Sequence, residues 1–493
     1  MKTKTLITVL LVVFMVAACA PASISTPIEI PVIPTATLTS TPPPPEPTAS
    51  LTPTVEVKMP DLLQTKAAVD QFAAAMQAAG VQANAEKIRQ GLLTQEIIRK
   101  DGKTYQVALT QDGYPLMVKH EGGEWKAAGY ADLAPEGFIV GSGIDKWTWN
   151  FDDPAYKPLF ESQFNLGMND GTLAEDFYSK VPLKRLTPDE VVSYYKWNDH
   201  IEIEEYLKEK QVPAGLQNLF PGYLFTRDNP QEWIKQFSDA ELVEWIGKHE
   251  EVVAAHTPNK NIRYVVVANE MFWHNPKTGW VGADGDYLFS RLGDNYIKTA
   301  FNKAQQLWPE TTLILNDDTA SMGVETNIVL NVEAYALFNY VKKMTKQGVP
   351  IEGFGLQNHL QARNFIQGDV QKNIKEYKKQ LDKYIKMYET IGVQFYITEL
   401  DVNTGGLPDS MTDNQRQELK AQIFEAAFDA CLSNQNCKGV TTQGFSDASS
   451  WLNDPNYPYK PGGPGLPYDK NYAPVAAHYS ILKTLFEADL ARK

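Results

Sequence analysis

Two glutamates in this chain each close a strongly apolar run: Glu270 follows VVVAN and Glu399 follows FYIT. A histidine ends a third such stretch, His359 in GFGLQNHL. One strand-end carboxylate is most simply a solvated or ion-paired residue. A pair facing each other across a site suits glycoside hydrolysis, in which one carboxyl protonates the leaving oxygen while the other attacks the anomeric carbon. Asp401 lies two residues beyond Glu399, on the same face of an extended chain.

Such groups work only if the fold aims them at one place. Short apolar runs recur at FIVGSG (138), FNLGMND (164), VPAGLQNLF (212), IRYVVVANE (262), TTLILNDD (311), IEGFGLQNHL (351), VQFYITELDV (393) and GVTTQGFSD (439), mostly with helical patterns between them. Eight such units predict an α/β fold, a (β/α)8 TIM barrel over residues 133–493. Strand C-termini converge on the catalytic face of that architecture, and several of these runs end in polar residues: Asn269-Glu270, Asn316-Asp317-Asp318, Asn358-His359, Glu399-Asp401 and Asp447.

The rest of the chain is organised around that unit. Residues 1–18 carry Lys2 and Lys4 before an apolar stretch too short to span a bilayer comfortably, a signal peptide by pattern. Val16-Ala17-Ala18-Cys19 resembles a bacterial lipobox, so Cys19 is the expected lipidation site. The expected location is extracytoplasmic, lipid-anchored to a bacterial membrane or cell surface. Residues 19–58 are a Pro/Thr-rich linker. Residues 59–132 read as a small α+β accessory segment, with a helical TKAAVDQFAAAMQAAG and hairpins around Asp112-Gly113 and Gly122-Gly123. Lipidation of Cys19 leaves Cys431 and Cys437, which can close a short loop in an oxidising compartment. The composition is 43% hydrophobic and 22% charged, and the net charge of -14 argues against nucleic acid or anionic lipid as a partner. A monomer acting on a polysaccharide is expected.

The ordered motifs resemble glycoside hydrolase family 10, the retaining endo-β-1,4-xylanases, over about residues 135 to 490. VVVANEMFW is similar to the family's strand-four motif, which implies Asn269 as a substrate contact and Glu270 as acid/base. YITELDV is similar to the nucleophile motif and implies that role for Glu399, 129 residues on. GFGLQNHL resembles the strand-six motif, implying that His359 orients the nucleophile. GFSDASSWL implies Trp451 as a sugar-stacking wall, and the family's late disulfide fits Cys431 and Cys437. LILNDD and WIGKHEEVV are similar to further family segments. The resemblance implies two Glu about 5–5.5 Å apart and a covalent glycosyl-enzyme. No organic cofactor is implied.

Departures cluster in the first half of the barrel and at strand eight. Where the family carries Glu-Asn and then Lys after strand two, this chain has Asp170 and Gly171 and no matching Lys. Leu216, Phe220 and Pro221 stand in the region of two family histidines and a Trp-containing run, and Gln443 replaces a Trp. Asp170, Gln217, Asn218 and Gln443 are the polar groups available for rebuilt sugar contacts. The sequence therefore predicts a retaining β-1,4-glycanase acting on xylan or a related plant polysaccharide, with a catalytically weak glycan-binding lipoprotein as the alternative. KHEEVVAAH carries its second His seven residues after the first, which fails zinc-protease spacing. Nothing in the spacing of Asp317, Asp318 and Asp447 demands calcium, and no metal is expected.

Overall fold

The eight apolar runs become eight parallel strands, because each is buried on both faces and must find neighbours for all of its backbone groups. In the computed structural model they are β1 (Ile139–Ile144), β2 (Leu166–Asn169), β3 (Ala214–Leu216), β4 (Ile262–Asn269), β5 (Thr312–Asp317), β6 (Gly353–Leu356), β7 (Gln394–Asn403) and β8 (Cys437–Thr442). Each pairs in parallel with the next, and β8 returns to β1 through Gly439–Ile139 to Thr442–Ser142, which closes the barrel. The structure describes residues 73–74, 93–98, 104–144, 151–170, 180–182, 184–217, 220–221, 232–274, 281–282, 286–318, 331–453 and 461–491. The signal peptide, Cys19, the linker, Asn218 and all but two residues of the predicted first helix lie outside them.

Outer helices follow the strands: α1 (Tyr156–Gln163), α2 (Asn198–Glu209), α3 (Asp239–Ala255), α4 (Asp294–Leu307), α5 (Val332–Lys346), α6 (Val370–Glu389), α7 (Asp413–Leu432) and α8 (Ala476–Ala491). Local chemistry sets several of their starts. Ser238 and Glu241 form a capping box on α3, and Thr412 and Gln415 form another on α7. The charge run KEYKKQLDKYIK lies on α6, whose Ile374, Tyr377, Leu381, Tyr384, Ile385 and Tyr388 recur at helical spacing and are buried. Phe354 of β6 stacks on Tyr388 at 4.3 Å between ring centroids. Inside the barrel, Leu166, Met168, Tyr264, Val266, Ile314 and Tyr396 form a separate buried cluster, so the interior is a packed core.

Ahead of the barrel, strands Leu93–Ile98, Thr104–Leu109, Pro115–His120 and Lys126–Ala127 form an antiparallel meander. Gly113 and Gly122 take positive φ at its turns, the conformation that glycine adopts without steric cost. The inner face of this sheet joins the main core: Tyr105, Val107 and Val118 are buried with the barrel's outer layer, and the Tyr105 hydroxyl donates to Asp489 of α8 at 2.6 Å. A disulfide links Cys431 at the end of α7 to Cys437 at the start of β8.

Candidate active site

Glu399 owes its direction to a break in β7. Along that strand Phe395 faces the helices and Tyr396 the barrel interior, and strict alternation would send Thr398 and Glu399 to opposite faces. Between Ile397 and Leu400, however, β7 spends three residues where β8 spends two, Val440 to Thr442. The extra residue is a bulge, which bends the strand and re-aims its side chains. As a result Thr398 Oγ1 and Glu399 Oε1 meet the same amide: Thr398 donates to Asn316 Oδ1 at 2.6 Å, and Asn316 Nδ2 donates to Glu399 at 2.8 Å. Asn316 is the next-to-last residue of β5 and lies across Gly355 of β6, where a Cβ would overlap its amide oxygen.

Glu270 sits just past β4. Its N–H extends the ladder to Asn316 O at 3.1 Å, and its φ of 53° places it in the left-handed region. Such a conformation costs a non-glycine residue on the order of 1 kcal/mol or more and persists only where the surroundings impose it. Gln357 Nε2 donates to Glu270 Oε1 at 2.9 Å and also approaches Asn269 Oδ1 at 3.1 Å. Asn269 Oδ1 in turn accepts from Asn316 Nδ2 at 2.7 Å. A continuous chain of amides therefore joins the two carboxylates: Glu270, Gln357, Asn269, Asn316, Glu399.

Behind Glu399 stands the one imidazole of this cluster. His359 Nδ1 lies 2.9 Å from Asp401 Oδ2, and Nε2 lies 3.4 Å from Glu399 Oε2. Burial alone would push the imidazole down; Asp401 and Glu399 outweigh it and hold its pKa well above the usual histidine range. Each ring nitrogen thus faces a carboxylate oxygen, the placement that favours the protonated ring. Asn358 before it has φ 65° and ties back to the Tyr377 hydroxyl of α6 at 2.7 Å. Trp451 is half-buried, packs on His359 at 4.8 Å between centroids, and donates its indole N–H to Asp401 Oδ2 at 2.7 Å. Tyr264 lies in the interior; burial first, then the charges of Asp170 and Glu399, push its phenol up.

The arrangement is a pair of bridged carboxylates at strand ends, which is the apparatus of glycosyl transfer to water. A model of glycosyl hydrolase family 10 matches residues 218–484, more than half of the 493-residue chain. The chain belongs to glycosyl hydrolase family 10. With that membership comes the class of chemistry, a glycoside hydrolase. It is 27% identical over 293 residues to "Endo-1,4-beta-xylanase B" of Thermotoga neapolitana, which covers 58% of this chain and 72% of that protein. Over 187 residues it is 32% identical to "Endo-1,4-beta-xylanase B" of Neocallimastix patriciarum, covering 38% of this chain and 18% of that longer protein. The crystal structure of native xylanase 10B from Thermotoga maritima has the same fold, with a TM-score of 0.59 at 22% identity over 74% of this chain and all of the other.

Within this family 10 barrel, Asn269, Glu270, His359, Glu399 and Trp451 form one contiguous cluster. Asp170 and Gln443 come together on the β8–β1–β2 side: a Cβ on Gly143 would lie 3.0 Å from Asp170 Oδ2 and 3.7 Å from Gln443 Oε1. Asp170 is buried and its N–H continues β2 onto Ile144 O at 3.0 Å. Leu216 is buried, and Phe220 and Pro221 pair with Ala268 and Asn269 of β4. Sequence reasoning passed over Asn316 and Gln357 as site members, although both stand at strand ends inside quoted motifs. Gln217, a polar group available for rebuilt sugar contacts, reaches Glu399 Oε1 with its amide N–H at 2.5 Å. Asp401 meets both His359 and Trp451 through one oxygen, Oδ2.

Proposed function

We propose that the protein is a retaining endo-β-1,4-glycanase acting on xylan or a related plant polysaccharide, with Glu399 as nucleophile and Glu270 as acid/base. The observation that supports it most is the amide chain from Glu270 to Glu399, backed by the His359–Asp401 pair on the far side of Glu399. In the first step a Glu399 oxygen bonds to the anomeric carbon as the bond to the leaving glycan breaks. The electron pair goes to the leaving oxygen, which takes the proton of Glu270. Glu270 then removes a proton from water, which attacks the same carbon and frees Glu399.

The supporting groups have physical parts to play. The imidazolium of His359 stabilises Glu399 as a carboxylate before attack and again as it leaves. Asn269, already turned toward Glu399 by Asn316, is the group for a hydroxyl of the sugar being cleaved. Trp451 supplies an apolar face for the next ring, and Asp170 with Gln443 offers acceptors to hydroxyls on the glycone side. Tethering through a lipid on Cys19, with residues 19–58 as the stalk, would hold a monomeric barrel beside polymeric substrate outside the cytoplasm.

Reducing-sugar release from xylan, mixed-linkage glucan, cellulose and arabinan by residues 60–493, with Glu399→Gln alongside, tests the reading. Release that falls at least about a thousandfold in the variant is expected, because a catalytic nucleophile is lost. Binding without release by either protein would contradict it and favour a glycan-binding role.

A further inference from the structure

Gln217 follows β3, and its backbone N–H donates to Asn169 O at 3.1 Å, so the residue is held as an extension of that strand. Its side chain is buried, and its amide N–H reaches Glu399 Oε1 at 2.5 Å. The same oxygen accepts from Asn316 Nδ2 at 2.8 Å. The two donors come from different strands, β3 and β5, and so clamp Oε1 from two sides. Oε2 has a single partner among the described groups, the imidazole Nε2 of His359 at the longer distance of 3.4 Å.

We infer that Gln217 is a positioning residue of the nucleophile: with Asn316 it pins Oε1, leaves Oε2 to attack, and keeps Glu399 a good leaving group when the glycosyl-enzyme is hydrolysed. This rests on the mechanism proposed above. Oε2 forms the bond to the anomeric carbon while the leaving oxygen takes the electron pair and the Glu270 proton, and Oε1 becomes the ester carbonyl. An N–H donor to Oε1 stabilises the free carboxylate more than the ester, because the carboxylate carries the full charge. Its loss therefore biases the enzyme toward the covalent intermediate and slows the second step most. A residue that merely touched sugar would raise KM instead.

The test uses Gln217→Leu, Gln217→Glu and the full-length enzyme with an aryl β-xylobioside bearing a fast-leaving nitrophenolate. For Gln217→Leu the expected result is that kcat falls about tenfold or more, KM falls with it, and the glycosyl-enzyme accumulates in intact-mass spectra. Gln217→Glu, which puts a second carboxylate against Oε1, should move the acid limb of the kcat/KM profile upward, since two adjacent carboxyls share a proton. The other titrating groups facing Glu399, namely His359, Asp401, Glu270, Tyr264 and Asp170, are the same in all three proteins. A rise in KM with kcat unchanged, or losses that follow melting temperature alone with no trapped ester, would overturn the inference. The ionisation of Glu399, read as the carboxyl ¹³C signal missing from Glu399→Gln, separates this from the mechanism itself. If the wild type cleaves nothing, the proposed function fails. An upward shift of that titration in Gln217→Leu would still uphold the clamp, and an unchanged titration would end it.

Discussion

At the scale of single residues, the least expected feature is how much of the site depends on amides rather than charges. Among the described residues, His359 is the only basic side chain that touches the two glutamates, and it is shared between Glu399 and Asp401. Its raised pKa has a consequence for stability. The folded state binds this proton more tightly than the unfolded chain, so the contribution is complete below the ordinary imidazole range. It is lost as pH rises through the higher folded value. Thermal melts from pH 6 to 10 should therefore show wild type losing stability relative to His359→Asn as pH increases; a constant difference would contradict the assignment. The two glutamates and His359 stood out because each ends an apolar run, and Asn269 because its motif resembles the family's strand four. Asn316, Gln357 and the role of Gln217 did not, since a neutral amide at a strand end carries no signal that separates a side chain bonded to a carboxylate from one in water.

At the scale of elements, the barrel was legible and its irregularities were not. Eight apolar runs with helices between them have one economical solution, and all eight strands form where the pattern placed them. The bulge in β7 lies within FYITELDV, a segment whose residue types would suit an unbroken strand, so no local propensity reveals it. What accompanies it is tertiary, the shared hold of Thr398 and Glu399 on Asn316. Element packing also supplies a pH-dependent term. Glu204 of α2 is fully buried and accepts from Asn169 at the end of β2 at 2.7 Å; burial, only partly offset by that bond and by Lys260, pushes its pKa up to about 7 from 4.5. The folded state thus keeps a proton that the unfolded chain releases, and stability falls as pH rises between those values, by on the order of 3 kcal/mol. Glu204→Gln should flatten the urea-denaturation midpoint between pH 4.5 and 7 relative to wild type; parallel slopes would refute the assignment.

At the scale of the whole molecule, the meander before the barrel is part of its core. The hairpins were readable from Asp112-Gly113 and Gly122-Gly123, but nothing in a sequence states what a sheet's buried face will meet. Here it meets α8, through Tyr105 and Asp489. Truncating a buried aromatic costs roughly 3–5 kcal/mol, so Tyr105→Ala should lower the temperature of one cooperative calorimetric transition. A barrel transition left in place, with a separate one moving ahead of it, would mean that the sheet folds on its own.

Whether Glu399 attacks the sugar is tested most directly by a covalent trap. The enzyme is incubated with an activated 2-deoxy-2-fluoro-β-xylobioside, digested with protease and mapped by mass spectrometry. The predicted result is one stoichiometric adduct on the peptide containing FYITELDV, located at Glu399 and absent from Glu399→Gln. An adduct on a different residue, or hydrolysis of xylan with inversion of the anomeric configuration and no adduct at all, would contradict it.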